Sequence, residues 1–470
     1  MISGVCKFSG IAALLFLAFL LMPLPGNAQY SISGTINGCA GKKVVFSRMY
    51  GKEIIGIDSV FLPKNCTFKF AFPDTQYVGV FRITLGKTDN DFIFNKENIV
   101  FATDTNHAGK VIILKSDENI QYYSFIAKTR LLNDSIEKLT QKGNALYNKD
   151  PKGNAATLKK LALQIDDLSA QLRKQAETQI RMHPGMYATR LIKAKLLPDF
   201  DAYMKRKDAG EYPNEAAFLK EHFFDNIDFS DSTLLHSEII FEKIGEYLQY
   251  YADPPSEAAY KKCIDFILVR TDVNKNVSEY VMNTLIRSFD HTDWEGVYSY
   301  IVEKYLAQTT CSDEQTSKSL AQRSSTINAL KTGNKAPSIK STDVQGKEIA
   351  LDSIKAKYTL VVFWASWCEH CEKALPIVEE LYKTYSPKGL EVFAVSIDTV
   401  RQEWLSATNR FKFPWINTCD LKGIDGPSVA AYNVWRTPTF YLLDKDKKII
   451  ERPISTVILE GTLKDLKWGN

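Results

Sequence analysis

An apolar, β-rich run that stops abruptly and gives way to helical periodicity constrains this chain more than any other feature. Residues 358–376 read YTLVVFWASWCEHCEKALP. Thr359, Leu360, Val361, Val362, Phe363 and Trp364 read as a buried strand that ends at Ala365-Ser366, and Ala374, Leu375, Val378 and Leu381 then fall on one helical face. Cys368 and Cys371 therefore form a C-x-x-C at a strand-to-helix junction, the first at the helix N-terminus and the second one turn in. A helix start offers unpaired N–H groups and about half a positive charge, which favours an anion on Cys368. The thiolate is the attacking species in thiol chemistry. Cys371 lies near enough to attack a mixed disulfide formed at Cys368, so the pair can cycle between dithiol and disulfide. A zinc site would need further ligands at close spacing, and the sequence holds no second C-x-x-C and no C-x-x-H. We therefore expect no metal and no cofactor beyond the redox-active Cys368–Cys371 pair itself.

The order of elements around this junction reads as α/β. A lead-in hairpin is expected over 339–351, the central strand over 358–364 and the active-site helix over 371–385. A strand over 390–396 and a helix over 401–411 follow, then strands at 439–443 and 448–452 and a closing helix at 459–468. Alternating strands and helices predict a central sheet covered on both faces.

The residues now carry a resemblance. WCEHC after a buried strand, with Pro376 five residues past the second cysteine, resembles the thioredoxin superfamily. The wider frame resembles its TlpA/ResA-like thiol–disulfide oxidoreductases of the bacterial envelope: Gly333-Asn334-Lys335-Ala336-Pro337 upstream, FWASWC in the middle, and Tyr432-Asn433-Val434 with Thr437-Pro438-Thr439-Phe440 downstream. The resemblance implies a thioredoxin-like fold for about the last third of the chain. It also implies Cys368 as nucleophile, Cys371 as resolving thiol and Pro438 as the family's cis-proline, preceded by Thr437 and lying beside the cysteines. Trp367 is expected to flank the site as an apolar platform. Glu369 and His370 lie between the cysteines, where a histidine can place positive charge or a hydrogen-bond donor near the Cys368 thiolate. Two positions depart from the family's patterns: Val362 stands where thioredoxins bury an aspartate, and Ala374 where many TlpA/ResA-like proteins carry a glutamate. Both absent acids are proton acceptors for the buried thiol, so the deprotonation of Cys371 is left without an obvious base.

The resemblance implies protein thiols and disulfides as clients, with a membrane electron donor or acceptor as a further partner. Two other readings stand beside it. A thiol peroxidase would need a threonine three residues before its cysteine, where this chain has Ala365. A non-catalytic envelope scaffold, using the domain only for docking, would have no need of both cysteines and Pro438.

At 470 residues the chain exceeds one ordinary core, and its 45% hydrophobic and 24% charged content is that of a globular protein. A formal net charge of +4 gives no reason to invoke nucleic acid. The N-terminus reads as a signal peptide over 1–28: Lys7 supplies the positive region, residues 11–22 are almost wholly apolar, and Gly26-Asn27-Ala28 suits a signal peptidase. That predicts export to the periplasm or cell envelope. Of eight cysteines, seven remain once Cys6 is removed, in a compartment where disulfides persist.

Residues 29–116 are β-patterned, with eight short runs separated by turn signals, and suggest a small antiparallel sandwich. This stretch resembles a β-domain of unknown function that precedes thioredoxin-like domains in some envelope proteins. It shows no catalytic constellation, and His107 is its lone loop histidine. If the first four strands form a meander, the turns near Cys39 and Cys66 share one end of the sheet, so a structural Cys39–Cys66 disulfide is expected. Residues 117–330 switch to helical periodicity broken at Pro151, Pro184-Gly185, Pro213 and Pro254-Pro255, predicting an all-α bundle. That region resembles an uncharacterised helical segment found between such a β-domain and a thioredoxin domain. Its dense aromatics, among them Phe223, Phe224, Tyr247, Tyr250 and Tyr251, read as core packing. The expected architecture is thus multidomain: a β-sandwich, a helical bundle and, over 331–470, a thioredoxin-like α/β domain.

Overall fold

The computed structural model describes residues 30–72, 77–104, 111–206, 208–306 and 314–468. The expected signal peptide, His107 and Cys311 lie outside the described residues. The chain forms two compact units. One comprises the chain up to Tyr251 together with Val269–Ser278; the other comprises Ala252–Leu268 and the chain from Glu279 onward. The division falls inside the helical region, so helices of that region contribute to both units.

The first unit begins with eight strands: β1 (Tyr30–Asn37), β2 (Lys43–Tyr50), β3 (Glu53–Phe61), β4 (Thr67–Phe72), β5 (Gly79–Leu85), β6 (Thr88–Phe94), β7 (Ile99–Asp104) and β8 (Ile112–Lys115). They form two four-stranded sheets, ordered β4-β1-β7-β8 and β3-β2-β5-β6. The alternation of β4 is strict: Phe68, Phe70 and Phe72 point inward while Thr67, Lys69 and Ala71 face out. The sandwich interior is filled largely by phenylalanine, with Phe46 stacked on Phe70 at 5.1 Å and the tilted rings of Phe92 and Phe101 4.2 Å apart. Gly34 of β1 lies beneath this packing; a Cβ there would meet the Phe101 ring at 2.9 Å.

Three sequence expectations are corrected here. The sandwich is not wholly antiparallel, because β1 runs parallel to β7. Nor do the first four strands form a meander: β1 and β4 belong to one sheet, β2 and β3 to the other. The crossing loops still bring the two cysteines to one end, where Ile36 N–H donates to the Cys66 carbonyl at 2.9 Å. The expected Cys39–Cys66 disulfide is nevertheless absent, and both residues are thiols. Cys39 is fully buried in the sandwich core, its Sγ 3.5 Å from the Asn37 carbonyl. Cys66 sits in the left-handed region, φ 58°, with its Sγ toward the Lys64 carbonyl at 3.8 Å. One side chain points into the core and the other stays at the turn.

Helices follow: α1 (Asp117–Lys149), α2 (Ala155–Met182), α3 (Tyr187–Lys195), α4 (Phe200–Met204), α5 (Glu215–His222) and α6 (Ile239–Tyr251). Phe223, Phe224 and Tyr247 are buried together, with Phe224 and Tyr247 ring centroids 5.0 Å apart, whereas Tyr250 is exposed. Glu118, buried in the first turn of α1, accepts from the N–H groups of Tyr187 and Ala188 at 2.8 and 2.9 Å and so caps α3. Removing that carboxylate leaves two donors buried without their acceptor. Glu118→Ala is expected to cost about 2–4 kcal/mol, and Glu118→Gln somewhat less, since its one amide oxygen can accept from only one of the two N–H groups while its NH2 faces the other. Urea midpoints of the two variants measure this, and an unchanged midpoint for Glu118→Ala would contradict it.

α7 (Glu257–Thr271) and α8 (Lys275–Phe289) contribute residues to both units. In the second unit they are followed by α9 (Glu295–Lys304), α10 (Glu314–Ala329), β9 (Lys340–Asp343), β10 (Glu348–Ala350), β11 (Tyr358–Trp364), α11 (Glu369–Tyr385), β12 (Leu390–Ser396) and α12 (Arg401–Phe411). The chain then continues through β13 (Ile416–Cys419), α13 (Pro427–Ala431), β14 (Thr439–Asp444), β15 (Ile449–Glu451) and α14 (Thr456–Asp465). The seven strands form one mixed sheet ordered β10-β9-β13-β12-β11-β14-β15. β11 is an interior strand, parallel to β12 and antiparallel to β14. From Thr359 to Trp364 every one of its residues is buried, as an apolar run without alternation requires when both faces are covered. All seven tryptophans of the chain, from Trp294 to Trp468, belong to this unit. Among the described residues, no helix is long and apolar enough to cross a membrane.

Candidate active site

β11 delivers the chain to the site and α11 receives it. Cys368 is the N-cap of α11, with extended backbone (φ −90°, ψ 106°), and its sulfur accepts from the Cys371 N–H at 3.2 Å. Its carbonyl accepts from the N–H groups of Cys371 and Glu372 at 3.0 and 3.1 Å. The sulfur therefore occupies the place of a capping oxygen, against the positive end of the helix. Cys371, one turn in, belongs to the buried face that continues through Leu375, Val378, Leu381 and Tyr385. Cys368 is 7% exposed and Cys371 1%, so both are buried and the second more completely. Burial, foremost, and then the neighbouring Cys368 thiol push the Cys371 thiol well above its ordinary range.

The loop before β14 closes the site. The Thr437–Pro438 peptide is cis, and the Cys368 thiol donates to the Thr437 carbonyl at 3.3 Å. Cys368, Cys371 and Thr437-Pro438 are thus brought together. Trp367 is 63% exposed and stands at the rim. Glu369 and His370 are exposed on the first turn of α11. Glu372, one turn on, pairs with Arg410 of α12 at 2.6 Å. At the two positions where the family carries acids, Val362 is buried inside β11 and Ala374 half-buried on α11.

Two further residues shape the site and are inconspicuous in sequence. Asp398, fully buried just beyond β12, receives the Ser366 N–H at 3.1 and 3.2 Å, the Ser366 hydroxyl at 2.6 Å and the Ser396 hydroxyl at 2.6 Å. It fastens the turn that leads from β11 into Cys368. The available signal was its position at the carboxyl end of a parallel strand, where α/β sheets place their sites. Cys419, at the end of the neighbouring β13, is buried and its thiol donates to the Asp398 carbonyl at 3.4 Å; burial raises its pKa. The second residue is Glu295 of α9, whose carboxylate accepts from Asn433 Nδ2 at 2.7 Å and Trp435 Nε1 at 3.0 Å and pairs with Arg452.

A mixed sheet with a dithiol at a helix N-terminus, facing a cis-proline loop, defines the class of thioredoxin-fold thiol–disulfide oxidoreductases. Residues 332–452 match the AhpC/TSA family, and residues 210–325 match a domain of unknown function, DUF5106. The thiol-disulfide oxidoreductase ResA of Bacillus thuringiensis (strain Al Hakam) is 35% identical over 142 residues, which are 29% of this chain and 79% of that relative. ResA of Geobacillus kaustophilus is 30% identical over 142 residues, covering 30% of this chain and 80% of the relative. The chain belongs to the ResA family of thiol–disulfide oxidoreductases. The crystal structure of a thioredoxin-like protein from Bacteroides caccae, 23% identical, covers 58% of this chain and 98% of that chain with a TM-score of 0.45.

Proposed function

We propose that the protein is an exported oxidoreductase that exchanges disulfides with protein clients through Cys368 and Cys371. The observation that carries this reading is the unequal exposure of two adjacent thiols, one capping a helix and the other buried beneath it. In the reducing direction, the Cys368 thiolate attacks one sulfur of a client disulfide. A Cys368–client bond forms, and the other client sulfur leaves as a thiolate. Cys371 then gives up its proton and attacks Cys368 Sγ. The mixed disulfide breaks, the client is released with two electrons more, and the Cys368–Cys371 disulfide remains. A dithiol partner restores the starting state by the same exchange; for an exported protein, a membrane-bound dithiol suits that role. Oxidation of client thiols runs the sequence backwards.

Export rests on the charged and apolar pattern of residues 1–28. The exposed Trp367 offers an apolar rest for a client segment beside the reacting sulfur. A peroxidase reading is disfavoured because Ala365 provides no hydroxyl three residues before Cys368. The test is insulin reduction by the mature chain with dithiothreitol as reductant. Turnover well above the uncatalysed rate, lost in Cys368→Ser, is the expected result. Peroxide consumption without insulin reduction would replace this function with the peroxidase.

A further inference from the structure

The loop that carries Thr437-Pro438 is held from two sides. At its base the thioredoxin-like fold supplies the anchors: the Tyr432 hydroxyl donates to the Pro337 carbonyl at 2.6 Å, and the Tyr441 hydroxyl donates to the Tyr432 carbonyl at 2.7 Å. Further along, the hydroxyl of Thr439 donates to the Arg436 carbonyl at 2.6 Å. The stretch between, Asn433 to Arg436, is gripped by residues that precede that fold in the chain. Glu295, at the first position of α9 and with its side chain 9% exposed, takes the side-chain N–H donors of Asn433 and Trp435, with Arg452 completing its shell. Asp293, two residues earlier, pairs with Arg436. The His291 ring meets the Trp435 ring edge-on at 5.9 Å. Asn433 has φ 46°, a left-handed backbone that its anchored side chain helps to fix. Three residues beyond Glu295's last loop partner, the peptide chain reaches Pro438, and the carbonyl before it receives the Cys368 thiol.

We propose that Glu295 is a positioning residue for client binding: by fixing Asn433 and Trp435 it holds the ledge at Thr437-Pro438 against which a client segment is laid. The helical segment is thereby part of the redox machinery. This rests on reading Cys368, Cys371 and Pro438 as the working site. Glu295 does not touch the nucleophile's own support, because Cys368 is fixed independently by the α11 N-terminus and by the Asp398–Ser366 contacts. Loosening the ledge should weaken client binding and leave the intrinsic reactivity of Cys368 unchanged. A carboxamide in place of the carboxylate still accepts from Asn433 and Trp435, so the two substitutions at this position separate the loop contacts from the charge pair.

The experiment uses the full mature chain in four forms: wild type, Glu295→Ala, Glu295→Gln and Asn433→Gly. The glycine tolerates the left-handed backbone while removing one of Glu295's partners, and serves if Glu295→Ala fails to fold. Two quantities are read for each, the KM for insulin disulfides and the rate of Cys368 alkylation by iodoacetamide. Expected are a KM raised at least fivefold in Glu295→Ala and at least twofold in Asn433→Gly, a KM within twofold of wild type in Glu295→Gln, and alkylation within twofold throughout. An unchanged KM in Glu295→Ala and Asn433→Gly, or alkylation that falls in step with turnover, would overturn the proposal while leaving the dithiol function intact. A wild type without insulin turnover would take both down.

Discussion

Cys371→Ser is expected to accumulate the protein as a mixed disulfide with its clients through Cys368, and Cys368→Ser to accumulate none. The asymmetry follows from where the two sulfurs lie. Cys368 is the N-cap of α11 and 7% exposed, and Cys371, one turn in, is 1% exposed. In the proposed cycle the first meets the client and the second releases it. With serine at 371 the first exchange proceeds and the second cannot, since a hydroxyl does not displace a thiolate from sulfur under these conditions. With serine at 368 the nucleophile itself is gone, and insulin turnover should fall on the order of 10³-fold or more, the scale of loss when a covalent nucleophile is removed. Non-reducing electrophoresis of the two variants after incubation with oxidised client proteins distinguishes them. Equal trapping by both would refute the assignment of roles.

The second large effect is on pH. Burial holds the proton on Cys371 beyond the ordinary range of a thiol. Below that raised pKa the attacking thiolate is a minor form whose fraction grows about tenfold with each pH unit. Resolution of the Cys368–client disulfide should therefore accelerate about tenfold per unit between pH 7 and 9, provided the client is already attached. Single-turnover mixing of a preformed mixed disulfide at several pH values measures this step alone. A flat profile over that window would mean that Cys371 is deprotonated by some other route. The same shift acts on stability. A thiol whose folded pKa lies above its unfolded value, near 9.0, contributes stability that is complete below that value. It is lost as the pH climbs from there through the folded pKa. The dithiol form should thus lose melting temperature on passing from pH 8 to pH 10, whereas the disulfide form, with neither thiol left to titrate, should not lose it by this mechanism.

What was legible in the sequence follows the range over which each feature is determined. Strand 358–364 and helix 401–411 emerge with the bounds read from the sequence, because a doubly covered strand is a continuous apolar run and a surface helix carries its period in its own residues. The strand Ile416–Cys419 carries no such local pattern. It has four residues, two of them polar, and Asn417 and Thr418 are buried only because Trp364 Nε1 and the Ala394 carbonyl are there to meet them, at 3.2 and 3.1 Å. The disulfide expected between Cys39 and Cys66 does not form although their loops share one end of the sandwich, because the Cys39 side chain enters the core while that of Cys66 stays at the turn, a difference of direction that spacing does not reveal. The site divides the same way. Cys368, Cys371 and Thr437-Pro438 lie in motifs whose meaning is local. Asp398 and Glu295 are single acids, remote in sequence from the residues they hold, and nothing beside them marks them out until the chain is folded.

The distribution of tryptophan gives the protein a built-in optical partition. All seven indoles, from Trp294 to Trp468, belong to the unit that carries the dithiol, and the phenylalanine-packed sandwich has none. Emission excited at the indole band is therefore blind to the melting of the sandwich. Far-ultraviolet dichroism, which weighs every peptide, registers both units. Run on one sample, the two signals separate the loss of the redox unit from the loss of the rest, with no label introduced and no residue changed.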